Sequence, residues 1–200
     1  MPTSNMFDTL HIADQLTTTK GAKTCLIIDQ AKKEPITIIP KESLVAPFGI
    51  NSFEESSLRK NFEIRCNAFL EDFVTELDKW ILSYVFVHCE RLLKKKVTYT
   101  QVEEMYKSPL HRKDGYAPLL KTKVNTAGNH AVRFWDGNGE MTIEPSEWKT
   151  TGIIPCLRLK SLWIMSGNFG VVLETTDVQV FPQEINCPFP RLKINDGEQE

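Results

Sequence analysis

His130-Ala-Val-Arg-Phe-Trp-Asp-Gly-Asn-Gly139 runs directly into Glu140-Met-Thr-Ile143, and two longer β-rich segments follow at 153–165 and 169–181. Asp136-Gly-Asn-Gly139 is a strong turn signal, and Gly, Asn and Pro bound the other runs. Short strands closed by such turns predict a small barrel or curved sheet across residues 116–182. Cationic and aromatic side chains interleave along these strands. Charge suits phosphates and flat rings suit unpaired bases, so the pattern points to a nucleic-acid surface.

Upstream, β-like pieces are expected at 10–16, 24–29, 36–39 and 62–66, with 51–60 as a polar loop. Residues 69–93 have helical spacing: Phe69, Phe73, Leu77, Trp80, Ile81 and Tyr84 form an apolar stripe. Asn67 can cap that helix, with Glu71 and Asp72 near its start and Arg91, Lys94 and Lys95 near its end, as the helix dipole favours. A short second helix is expected at 100–107, capped by Thr100 with Glu103 three residues on. The expected class is α+β: an OB-like β-barrel or curved antiparallel sheet with one long packed helix and a short second helix. Residues 1–9 read as a flexible start, 10–182 as one mixed domain and 183–200 as a weakly ordered tail.

The chain has 200 residues and a formal charge of −2, distributed unevenly. Residues 91–133 carry ten Lys/Arg against three acids, a net +7, while the rest carries 14 against 23, a net −9. A basic middle between acidic flanks can present a positive surface without a basic protein. Five widely spaced cysteines with no C-x-x-C fit reduced thiols in an intracellular setting. The four histidines are scattered, so no metal site or cofactor is expected. The N-terminus lacks the pattern of a secretory signal, and the longest apolar run is too short for a bilayer, so no membrane partner is expected.

No phosphate-binding Gly-rich loop, H-E-x-x-H or G-x-S-x-G occurs, and the expectation is a binding protein, not an enzyme. The candidate nucleic-acid contacts are Lys121, Lys123, Arg133, Arg158 and Lys160 for phosphates, with Trp135 and Phe169 for bases. Phe169 follows Ser166-Gly-Asn168, a hairpin tip where an aromatic would stand out. Trp148 and Trp163 read as core. Regular alternation puts Trp163 on the face away from Arg158 and Lys160; a bulge between 160 and 163 would reverse that.

Tyr116-Ala-Pro-Leu-Leu-Lys-Thr-Lys-Val124 and the stretch from Pro155 through Leu-Trp163 to Phe-Gly170 resemble a family of single-stranded DNA-binding proteins of nucleocytoplasmic large DNA viruses. The Pro47-Phe-Gly49 turn and the long helix share the resemblance, which covers residues 10–182 in order. It implies an OB-like barrel and sequence-tolerant single-stranded DNA binding in viral replication and repair. The implied partner is single-stranded DNA, or RNA, with homo-oligomerisation compatible. The implied setting is the host cytoplasm (viral factory) or nucleus. The alternative is a structural or virion-associated module that contacts protein.

Overall fold

Two 15-residue strands joined by a two-residue turn form the spine of the protein. The computed structural model describes residues 5–14, 17–19, 21–52, 54 and 56–182. A short helix α1 (Asn5–Asp8) leads into β1 (Leu10–Ile12), β2 (Thr17–Thr19) and β3 (Ala22–Asp29). The two-residue strands β4 (Thr37–Ile38), β5 (Leu44–Val45) and β6 (Ile50–Asn51) precede β7 (Arg59–Arg65). Three helices follow, α2 (Ala68–Val87), α3 (Cys89–Leu93) and α4 (Tyr99–Met105). Then come β8 (Tyr106–Lys107), β9 (Leu110–His111), β10 (Leu119–Asn125), the hairpin β11 (Arg133–Trp135) and β12 (Met141–Thr142), and the spine strands β13 (Thr151–Met165) and β14 (Asn168–Pro182).

The main strand order is β1-β3-β13-β14-β10-β7-β6. Pairing is mostly antiparallel; β8, β10 and β11 run parallel to β14. β5 pairs with β13 and β6 pairs with β7, so the short segment between them carries the chain from one side of the β13-β14-β10-β7 ribbon to the other. That connection gives the sheet its barrel-like closure and shields edges that would otherwise be open. Gly49 lies in this segment with φ +57, and a Cβ there would run into the Trp148 indole. Trp148 packs edge-on to Phe62 and Phe134, with centroids at 5.1 and 6.1 Å, and plugs this end of the barrel. The expected α+β class holds.

Asn67 caps α2: its side-chain oxygen accepts from the Leu70 N–H at 3.1 Å. Leu70, Phe73, Val74, Leu77, Ile81 and Val85 are buried along one stripe, while Trp80 and Tyr84 sit half-buried at its margin. The helical stretch is interrupted at His88, so the expected single helix becomes α2 and α3, ending at Lys94 in the left-handed region. The cap of α4 lies two residues before the expected one. Thr98 and Gln101 form the capping box there, in place of Thr100 and Glu103. The polar stretch 51–60 holds the end of β6 and the start of β7. Asn5–Asp8 is helical, and Phe7 stacks on Phe73 at 5.9 Å, so that part of the expected flexible start is packed. The tail 183–200 lies outside the described residues.

Leu77 is fully buried at the centre of the α2 stripe. Leu77→Ala should cost about 2–5 kcal/mol through lost burial and an unfilled cavity. Urea denaturation of both proteins measures it, and a loss near zero would show that the helix does not pack on the sheet.

Candidate nucleic-acid interface

The pairing of β13 with β14 shifts register at two places, at Cys156/Leu157 and at Leu159/Ser161, and the second decides on which face Trp163 lies. Leu159 pairs with Leu173, but Ser161 pairs with Val172, leaving Lys160 as an extra residue in β13. A bulge of this kind shifts the alternation of everything beyond it by one position. Leu157, Leu159 and Leu162 all point to the core, while Arg158 and Trp163 are only half-buried. Trp163 therefore joins the cationic face, which corrects its expected core position. The physical reason is the bulge at Lys160.

Trp163 sits opposite Gly170. A Cβ on Gly170 would lie 2.8 Å from Trp163 Cζ2, so only glycine lets the indole lie this close to β14. The ring is one wall of a cleft of about 590 Å³. Arg59, Lys107, Lys121 and Lys123 supply its cations, His111 adds an imidazole, and Met165 and Val172 form its apolar lining. These residues come from six elements. Lys121 and Lys123 alternate with the buried Thr122 and Val124 along β10. Arg59 lies on the neighbouring β7, opposite Asn125. The 106–111 segment crosses from β14 to β10 and forms the far wall.

Among the described residues, no carboxylate lies within 4.0 Å of Arg59, Lys107, Lys121 or Lys123. Burial and the nearby charges of Lys121 and Arg59 push the Lys123 amine below its ordinary pKa. Lys123 Nζ donates to Asn61 Oδ1 at 2.5 Å, which fixes its position on the floor. Like charges held together without a counter-ion are relieved by a bound anion.

The far wall is anchored to the core by Asp78 on α2. Its Oδ1 accepts from the Tyr106 hydroxyl at 2.6 Å and its Oδ2 from the Ser108 hydroxyl at 2.7 Å. Burial raises the Asp78 carboxyl above its ordinary value of 3.8, outweighing the downward pull of these hydrogen bonds and of Arg112. Burial and the same carboxylate push the Tyr106 phenol far up, so it remains a donor.

The other expected contacts sit elsewhere or are already engaged. Phe169 is fully buried and packs on Tyr106 at 5.3 Å, so it does not stand out as a stacking ring. The alternation that brings Trp163 outward turns its neighbour across the hairpin inward. Trp135 is half-buried, donates to Asp177 Oδ1 at 2.9 Å and carries the Arg133 guanidinium over its ring at 5.6 Å. Arg133 is bound to the same Asp177 oxygen at 2.7 Å. Burial alone would raise the Asp177 carboxyl, but the hydrogen bonds from Arg133 and Trp135 hold it below the ordinary range. Lys160 pairs with the buried Glu174 at 2.6 Å. Arg158 lines a second, smaller cleft with His130. Thus Lys121 and Lys123 share the Trp163 cleft, whereas Arg133, Arg158 and Lys160 lie further along the same sheet. Arg59, Lys107, His111 and Trp163 are cleft residues that spacing alone did not select.

Among the described residues no cluster of His, Cys, Asp and Glu has metal-site geometry, and no helix is long and apolar enough to cross a membrane. No family model matches the chain, and no curated protein matches it. Among solved structures the chain is similar to gp2.5, a single-stranded DNA binding protein encoded by bacteriophage T7. The identity is 10% and the TM-score 0.49, over 83% of this chain and 100% of that one. It is also similar to the single-stranded DNA-binding protein from bacteriophage Enc34 in complex with ssDNA, at 9% identity and a TM-score of 0.45. That match covers 84% of this chain and 94% of the other. A further structure of the Enc34 protein matches at 9% and 0.45, over 92% and 96%.

Two outcomes follow from this geometry. Gly170→Ala forces the indole or the Lys107 carbonyl to move, and should cost about 1–3 kcal/mol while shifting Trp163 fluorescence; an unchanged protein would show that the ring is free to swing. For Asp78, a raised folded-state pKa means that the folded form holds the proton more tightly. That contribution is complete below 3.8 and is lost as pH rises through the folded value. Asp78→Asn deletes the titration. The wild-type urea midpoint should therefore fall relative to the variant as pH rises from about 3 to 7. A constant difference would contradict the assignment.

Proposed function

We infer that the protein binds single-stranded DNA, tolerantly of sequence, with the Trp163 cleft as the point of engagement. One observation carries the reading: an aromatic face and four cations that have no carboxylate within 4.0 Å among the described residues line one concavity. Stacking on an indole needs an unpaired base, and Arg59, Lys107, Lys121 and Lys123 supply charge for the backbone on either side. A duplex hides its base faces, so single strands are preferred. The biological role that fits is protection of exposed strands in DNA replication or repair, within the viral, intracellular setting implied by the sequence resemblance.

A protein-contact role has one feature in its favour. Among the described residues β12 pairs only with β11, and Met141 within it and Ile143 beside it are 69% and 84% exposed. Salt separates the two readings, because phosphate binding weakens steeply with salt and an apolar interface does not.

The test is anisotropy of labelled oligo-dT across a salt series. Trp163→Ala should weaken binding by about 1–3 kcal/mol, the worth of one lost stack. The Lys121→Ala/Lys123→Ala pair should weaken every sequence alike and flatten the log–log salt slope by about 1.4, for two single-strand phosphates. Equal competition by duplex DNA, or a slope unmoved by the lysine pair, would remove the cleft from the mechanism.

A further inference from the structure

The second cleft lies on the same sheet face and has no part in the reading above. It measures about 240 Å³ and is lined by Asn129, His130, Arg133, Arg158, Glu174 and Thr176. Its cations are not equivalent. Arg133 is taken up by Asp177 and lies over Trp135. Arg158 has no carboxylate within 4.0 Å among the described residues. His130 is exposed on the loop between β10 and β11, which turns at Gly128 with φ +79 and forms the outer wall.

The two clefts meet at Glu174. Its Oε1 accepts from Lys160 at 2.6 Å and from Asn125 at 3.0 Å, and only 5% of the residue is exposed. Lys123 and Arg158 are its register partners on the two neighbouring strands. Of these cations only Lys160 contacts the buried carboxylate, so Lys123 and Arg158 are left unneutralised where the two clefts join. Val172 lines the first cleft and Glu174 and Thr176 the second, so β14 leads from one to the other. Gly170, under the Trp163 ring, is six residues from Thr176, about 20 Å of extended strand.

We propose that Arg158, with His130 and Asn129, forms a second backbone station that takes a phosphate further along the single strand seated at Trp163. The small volume and polar lining suit a phosphodiester group, and no Trp, Tyr or Phe is among the described residues that line it. This rests on the single-strand reading. It adds a direction of travel, along β14 from Trp163 toward Arg158, and a minimum length for full engagement.

Length dependence tests it. Single-domain sites of this type span about 4–16 nucleotides, so oligo-dT of ~4 and ~12 nucleotides separates one cleft from two. Arg158→Ala should leave the short oligomer unchanged, weaken the longer one about three- to tenfold at low salt, and lower only the longer one's salt slope by about 0.7. Arg158→Lys should restore the slope. His130→Glu, on the exposed loop, places a carboxylate in the cleft without altering the sheet and should give the same selective loss, which guards against misfolding of the Arg158 variant. Equal loss on both lengths, or no loss on the longer, overturns the second station while the single-strand reading stands. Failure of the wild type to bind either length overturns both.

Discussion

The extra residue at Lys160 is the constraint on which the outward face depends. A strand alternates strictly, so without the bulge Arg158, Lys160 and Leu162 would share one side and Trp163 would share the other with Leu159. With it, the β13–β14 ribbon keeps leucines inward at 157, 159 and 162 and still delivers an indole to the solvent side. Phe169 faces the core by the regular alternation of β14, in step with the buried Val171 and Leu173. The aromatic of the hairpin that meets solvent is thus on β13, and the one that meets Tyr106 is on β14.

The cations on that face divide by what neutralises them. Asp177 takes Arg133 and Glu174 takes Lys160, each through a short hydrogen-bonded contact. These pairs serve the sheet: Asp177 also fixes the Trp135 indole, and Glu174 also holds Asn125 at the end of β10. Exposed ion pairs contribute little to stability, but a paired cation must give up its partner before it can serve a phosphate. Among the described residues, Lys121, Lys123, Arg59 and Lys107 have no such partner to give up, so a count of the basic residues on this face overstates the charge open to a phosphate. The net charge of −2 conceals the same division.

Elements that rest on local signals were legible in the sequence. The α2 stripe, its Asn67 cap, the Asp136-Gly139 turn and the alternation of Lys121 with Lys123 each depend on residues within a turn or two of one another. What was not legible depends on pairing between distant segments. The bulge at Lys160 arises from the register against β14 and β3, and no residue type at 159–161 announces it. The placement of Arg59 and Lys107 beside Lys121 needs the β7–β10 and β8–β14 pairings. No local pattern in the sequence marks His111. The pairing of β9 with β10 brings it into the cleft wall. The break at His88 was hidden because apolar spacing continues through it.

The cleft is also joined to the core through a polar contact. Packing alone would hold the 106–111 segment loosely, since β8 and β9 are two residues each. Asp78 offers both carboxylate oxygens to that segment, and the cost of keeping a carboxylate half-buried is visible in its raised pKa. A buried acceptor of this kind is costly unless it is satisfied, so it specifies one position for Tyr106 and Ser108 where an apolar contact would allow several. Phe169, turned inward by the hairpin, stacks on the same Tyr106. The wall that carries Lys107 and His111 is therefore held from both sides, by α2 through Asp78 and by β14 through Phe169. The position of the cationic wall relative to Trp163 follows from the core, and it does not need a ligand to form.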